Sequence, residues 1–313
     1  MIRNRVFLYF SLKIIVTILL VRWLVETVDR ASLIKTFQSF SKWTFIASVL
    51  SLWVAYLIYA WRWRYILLKR ERCSFTFKNS LTIASIGNLL NQCVPGSIAG
   101  DVYRGFSLGR FGFSRTCSIQ SIFVDRLFGL VFNCIVGISA VFFIDPIYLN
   151  KKEVWLMCLF LGGICFGFIV FCFLDQVPIP NGLKKFISPI QDTSSFCRSL
   201  IKIQNVRFYL AGIGLTLFYY LPVYFFARDL DSNLSFAAIL FVLPAISLIT
   251  FLPISFAGWG VREVSFVFFF KLFGLTGDQS LSLSIAYGLV SLFSVMPGIV
   301  FYFFKEQGKN KKK

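Results

Sequence analysis

Apolar residues run along this chain in long blocks, not in the short periodic patterns of a soluble fold. Six blocks, 6–25, 43–60, 118–144, 154–174, 208–227 and 282–304, approach or exceed the roughly 20 residues that a membrane-spanning helix needs. Two further apolar segments are broken. The first, 79–94, is interrupted by Asn88, Asn91 and Gln92 and runs into Pro95; the second, 236–252, is followed at once by Pro253. Each leads through a glycine-containing turn into a weaker helical segment, 102–110 and 261–273. The pattern predicts an all-α fold: a polytopic transmembrane bundle of six full spans plus two re-entrant helical hairpins. Residues 1–313 read as one integral membrane domain. Its first half, 6–174, contains the hairpin 79–110, its second half, 206–304, contains the hairpin 236–273, and 175–205 is a cytoplasmic linker.

Charge orients this arrangement. The tracts 61–79 and 175–207 and the C-terminus are rich in Lys and Arg, as are Arg3 and Arg5, whereas 26–42, 145–153 and 228–233 are near balance. Basic loops stay on the cytoplasmic side. With both termini cytoplasmic, six spans satisfy every placement only if each broken segment enters and leaves on the same side. The first span is read as retained, since no small-residue cleavage site follows it. A plasma-membrane location follows, and Trp61–Trp63 with Arg62 and Arg64 reads as an interface anchor.

A repeat supports the paired breaks. Val94-Pro95-Gly96-Ser97-Ile98-Ala99-Gly100-Asp101-Val102-Tyr103-Arg104 aligns without gaps on Leu252-Pro253-Ile254-Ser255-Phe256-Ala257-Gly258-Trp259-Gly260-Val261-Arg262, with Pro, Ser, Ala, Gly and Arg matching at five of eleven positions. By the charge count the two copies enter from opposite sides, which is the pattern of an inverted-repeat transporter. Pro95 and Pro253 end or bend a helix, and Gly96, Gly100 and Gly258 permit tight turns. The start of each second half-helix presents unpaired N–H groups that attract anions, and Arg104 and Arg262 each add a full positive charge there. Asp101 lies one turn before Arg104 and either pairs with it or caps the half-helix. Glu263 follows Arg262. Asp125-Arg126 stands in an apolar run and reads either as functional or as a pair at the rim. Asn88 and Asn91 bond the freed backbone or touch a ligand; the sequence does not rank the two.

Composition narrows the chemistry. The chain is 57% hydrophobic, carries a formal charge of +18 and has no His. Because the basic residues sit between apolar spans, nucleic acid is not the expected partner; the bilayer and its anionic headgroups are. The eight cysteines form no CxxC, so no metal site or disulfide framework is read, and no cofactor motif is present.

The ordered set Asn88…Asn91…Pro95-Gly96…Gly100-Asp101-Val102-Tyr103-Arg104, Asp125-Arg126…Gly129 and Leu252-Pro253…Gly258-Trp259-Gly260-Val261-Arg262-Glu263 resembles the lysylphosphatidylglycerol synthase transmembrane family from about Phe7 to Phe304. It departs mildly from that family at Ala99, where a second glycine is usual, and at Asp125, where Glu is usual. The resemblance implies movement or handling of a lipid without lipid aminoacylation. The leading expectation is a flippase or transporter for an anionic phospholipid or a polyprenyl-phosphate-linked lipid. A membrane-embedded lipid-modifying enzyme and a non-transporting lipid-binding regulator of an envelope enzyme stay open as alternatives. The chain offers no clustered carboxylates and no Ser–base pair for catalysis. A homo-oligomer is compatible with all three readings.

Overall fold

The computed structural model describes residues 34–36, 38–93, 98–149, 152–178, 184–230, 232–251 and 260–310, and among them no strand occurs. The predicted first span, 6–25, lies outside the described residues. Five of the described helical stretches are long and apolar enough to cross a membrane: Lys42–Arg70, Arg115–Phe143, Lys152–Gln176, Ile203–Asp229 and Gly277–Phe303. They coincide with the other five predicted spans. The chain is a multi-pass helical membrane protein.

In chain order the helices are α1 (Lys42–Arg70), α2 (Phe77–Cys93), α3 (Ala99–Leu108), α4 (Arg115–Ala140), the single turn α5 (Pro146–Leu149), α6 (Lys152–Cys172), α7 (Lys184–Ile201), α8 (Val206–Asp229), α9 (Phe236–Phe251), α10 (Val261–Phe270), α11 (Gly277–Ser294) and α12 (Pro297–Asn310). The predicted linker is therefore largely helical, as α7. The last predicted span is not one continuous helix. Pro297 has no N–H to give to the preceding turn, α11 stops at Ser294, and the Trp53 indole N–H donates to the freed Ser294 carbonyl at 3.1 Å.

Local sequence sets the ends. Ser41, Ser114 and Thr276 cap α1, α4 and α11, their side-chain oxygens accepting the N–H of Trp43, Cys117 and Gln279, each cap contributing about 1 kcal/mol. α3 and α10 end alike: a 3-10 turn, then a glycine at φ +83° (Gly112) or +87° (Gly274), then two residues on the cap of the next helix. Only glycine takes that backbone without strain. The sequences there, Phe111-Gly112-Phe113-Ser114 and Phe273-Gly274-Leu275-Thr276, are near copies.

Packing follows from where apolar area lies. α6 is apolar all round but buries only the stripe Val154, Met157, Leu161, Phe168 and Cys172; Trp155, Leu159, Phe166 and Ile169 face outward, as suits a helix with lipid on its other sides. α1 and α8 form the central pair and run antiparallel, since Phe40 meets Phe226, the Ser51 hydroxyl donates to the Phe218 carbonyl, and Tyr65 stacks on Phe208. The buried core around them takes in Leu52, Cys134, Leu161, Val223, Phe241 and Val290. The arms α2 and α3 approach so closely that a Cβ on Gly100 would lie 2.0 Å from the Gly87 carbonyl oxygen. At about 1.5 Å per residue, the ten-residue helices α3 and α10 span only about 15 Å each, half of the ~30 Å hydrocarbon core.

Candidate functional site

Charged groups inside a bilayer are expensive unless paired, and the bundle buries two groups of them. The first is centred on Asp125 of α4, which is 1% exposed. Its Oδ1 lies 2.9 Å from Nη2 of Arg62 on α1, and its Oδ2 lies 3.1 Å from Nη2 of Arg104 on α3. Arg62 also donates to the Asp125 backbone carbonyl. Arg104 then reaches Asp101, one turn back on α3, at 3.2 Å, and the other oxygen of Asp101 holds Arg126 at the edge of the cluster. The Tyr59 hydroxyl accepts from Arg104, whose guanidinium lies 4.2 Å from the Trp63 ring centroid. Such stacking is favourable for a desolvated cation.

Three guanidinium groups thus meet two carboxylates, a formal net charge of +1. Among the described residues, two N–H donors at its centre, Nη1 of Arg62 and Nε of Arg104, are buried without a hydrogen-bond partner. A buried donor left unmade costs on the order of 1–3 kcal/mol, so the cluster holds spare capacity for an acceptor. Glycines make the room: a Cβ on Gly129 would come within 3.3 Å of Arg62, and one on Gly87 would meet Arg104 at the same distance.

The second group lies between α10 and α11. Nη2 of Arg262 is 2.6 Å from Oε1 of Glu263, and the Ser284 hydroxyl touches both residues. The other oxygen of Glu263 accepts the Gly260 N–H, closing the first turn of α10. Arg262 lies directly on Gly288, where an added Cβ would fall 2.4 Å from Nη2. The two groups are at different levels. Tyr287, next to Gly288, reaches the carbonyl of Tyr219, whose neighbour Phe218 meets Ser51 of α1, whereas Arg104 lies against Tyr59 and Trp63. Ser51 is eight to twelve residues from those two, or roughly 12–18 Å along the helix.

The arrangement corrects one expectation and settles others. Arg62 and Trp63 are not an interface anchor; both are buried, because Ser48, Leu52, Ala55, Arg62 and Ile66 lie on the inward stripe of α1. That stripe was readable from the spacing. Asp125 is buried within the protein and does not reach out of it. Asn91 bonds freed backbone: its Oδ1 accepts the Gly100 N–H at 2.8 Å, satisfying one donor at the start of α3. Asn88 instead lines a cavity of about 260 Å³ with Trp53, Tyr56, Ser85 and Ser294. Pro95, Gly96, Pro253 and Gly258 lie outside the described residues. Tyr59, Gly87, Ser284 and Gly288 carried no motif of their own in the sequence.

The family described as the lysylphosphatidylglycerol synthase TM region matches residues 10–298. This chain belongs to that family. Membership gives it a general, lipid-related and flippase-like membrane character, and both buried charge groups fall inside the matched region. The UPF0104 membrane protein MJ1078 of Methanocaldococcus jannaschii is 26% identical over 249 residues, covering 71% of this chain and 99% of that relative. The name of that relative says only that it is a membrane protein.

Proposed function

We propose that the chain moves the phosphate-bearing head of a lipid, a phospholipid or a polyprenyl-phosphate carrier, across the plasma membrane while the tail stays in the bilayer. The observation that carries this reading is the pair of arginines at matched repeat positions, Arg104 and Arg262. Arg104 is buried and Arg262 half-buried, each lies against a glycine, and each is clamped by carboxylate until something replaces it. The head is held by one arginine and then by the other, with Asp101 and Asp125, or Glu263, neutralising whichever is empty. Asn88, in its cavity between α1, α2 and α11, would touch the passing lipid.

Alternation requires two halves facing opposite ways. Three features support an inverted repeat. The central helices α1 and α8 are antiparallel, so the hairpins that follow them start at opposite ends of the bundle. α3 and α10 share their Gly-capped ends. The packing pairs also exchange: α1 with α4 and α8 with α11, α4 with α9 and α12 with α2, α3 with α4 and α10 with α11. The shortness of α3 and α10 favours hairpins that turn back inside the membrane, with both chain ends on the cytoplasmic side.

The test is headgroup translocation in proteoliposomes. Wild type should flip a labelled phosphate lipid, and R104K and R262K, which keep charge but lose the planar fork, should each slow it. Equal rates for wild type and an R104A/R262A protein of wild-type melting temperature would refute the assignment.

A further inference from the structure

α7 lies between two spans that end at the same side of the bundle, Lys152–Gln176 and Ile203–Asp229, so it sits at a membrane surface. Its second half is docked. Phe196, Cys197 and Leu200 are buried against Ile66, Val124 and Phe168, and Asp192 is held by Arg70 of α1 and Gln120 of α4. At 100° per residue, Phe186 and Ile190 fall on the same stripe as Thr193 and Cys197. Yet Phe186 is 75% exposed and Ile190 47%, whereas Cys197, on the same stripe, is buried. Among the described residues, the apolar face of the first two turns therefore stays exposed while the same stripe further along is buried.

We infer that this overhang of α7 is seated on lipid, with Phe186 and Ile190 in the headgroup–acyl boundary of an anionic leaflet. Charge selects the occupant. The segment 175–207 carries Lys184, Lys185, Arg198, Lys202 and Arg207 against Asp175 and Asp192, and both acids are already engaged, by Arg198 and Arg70. An amphipathic helix with such a basic surplus binds anionic lipid surfaces. Through Asp192 the lipid-seated helix grips α1 and α4, the two helices that carry Arg62 and Asp125. The inference does not depend on what the bundle transports.

The test places an environment-sensitive fluorescent amino acid at position 186 of the full chain, in nanodiscs holding one chain each. The discs contain phosphatidylcholine alone or mixed with phosphatidylglycerol. Blue-shifted emission, quenched by lipids brominated near the top of the acyl chain and further shifted by phosphatidylglycerol, is expected. Water-like, unquenched emission would overturn the inference, as would burial that arises only in discs holding two chains, which would make a second copy the occupant. A second readout is limited proteolysis in phosphatidylglycerol vesicles. F186D/I190D should be cut near α7 about tenfold faster than wild type with the melting temperature unchanged; equal cleavage would also overturn it.

Discussion

Replacing Asp125 by Asn removes one charge and leaves the volume almost unchanged, so its effect isolates the electrostatics of the buried cluster. Asp125 accepts from two guanidinium groups at 2.9 and 3.1 Å. At an effective dielectric of about 20, each pair has a gross attraction of roughly 5 kcal/mol. Burial of the carboxylate already costs several kcal/mol, so most of the attraction is offset. What remains after substitution is two buried cations facing a neutral amide, a situation that typically costs about 3–5 kcal/mol. Arg62 is the worse placed. Among the described residues it pairs with Asp125, whereas Arg104 keeps Asp101, Tyr59 and Trp63. D125N should therefore lower the melting temperature in detergent by on the order of 10 °C. Adding Arg62→Met, a linear apolar side chain, should restore at least half of the loss, although R62M alone should destabilise by leaving the carboxylate short of a partner. Two results would refute this account: D125N melting within 2 °C of wild type, or D125N/R62M melting below D125N.

Three further outcomes follow from single contacts. Asn91→Ala should destabilise by about 1–2 kcal/mol in the same melting assay, because the Gly100 N–H at the start of α3 loses its acceptor; an unchanged melting point would mean another group takes the proton. Gly288→Ala should push Arg262 off its seat, since the new Cβ would overlap Nη2 at 2.4 Å, and translocation should fall several-fold for a stability loss of only about 1 kcal/mol. Glu71, outside the spans, has its carboxyl held below the ordinary value of 4.5, chiefly by the Ser114 hydroxyl, with the Ser114 N–H adding a second hydrogen bond. A lowered folded pKa gives stability that is full above 4.5 and fades as pH falls through the folded value. A melting profile taken downward from pH 6 should drop more steeply for wild type than for Glu71→Gln.

How much of this was legible beforehand depends on which physical rule governed each part. Span positions follow from apolar length alone, a local property, and the five described spans agree with the blocks read from hydropathy. The shorter helices α2, α3, α9 and α10 were legible as apolar or weakly helical segments on either side of the Pro- and Gly-containing stretches of the sequence. Arg62 was misread because an Arg beside two Trp at the end of a basic tract is the usual composition of a headgroup anchor. Composition reports which residues a segment holds; the direction each faces comes from register. In the register of α1, Arg62 falls on the stripe of Ser48, Leu52, Ala55 and Ile66, inside the bundle. Gly129 and Gly288 were hidden for a different reason. Each is defined by an arginine from another helix lying on it, a contact between positions 67 and 26 residues apart, and no window along the chain contains that information. The break at Pro297 passed unseen because the apolar run continues across it and the Ser294 carbonyl beside it finds its donor in Trp53, on a distant helix.

The two charge groups differ in a way that bears on direction. Among the described residues, the group around Asp125 has a surplus of one positive charge and two unpartnered buried N–H groups, whereas Arg262 stands beside one carboxylate, Glu263. An anion arriving at the first group finds uncompensated donors and need not break every existing pair. At the second it must displace Glu263, whose other oxygen also holds the first turn of α10 through the Gly260 N–H. Binding there is coupled to unfastening a helix end. If the same head visits both, the first site is the tighter one at rest and the second is the one whose occupancy costs structure. Asymmetry of that kind biases a two-site exchanger without any nucleotide. Weakening the Glu263 clamp is the direct probe. Glu263→Gln keeps the hydrogen bonds available to an amide but removes the charge, so it should raise the affinity of the second site for inorganic phosphate while leaving that of the first unchanged. Phosphate protection of melting, compared in E263Q and in E263Q/R104K, separates the two sites. Equal protection of wild type and E263Q by phosphate would show that Glu263 is not the competitor and would remove the basis for the asymmetry.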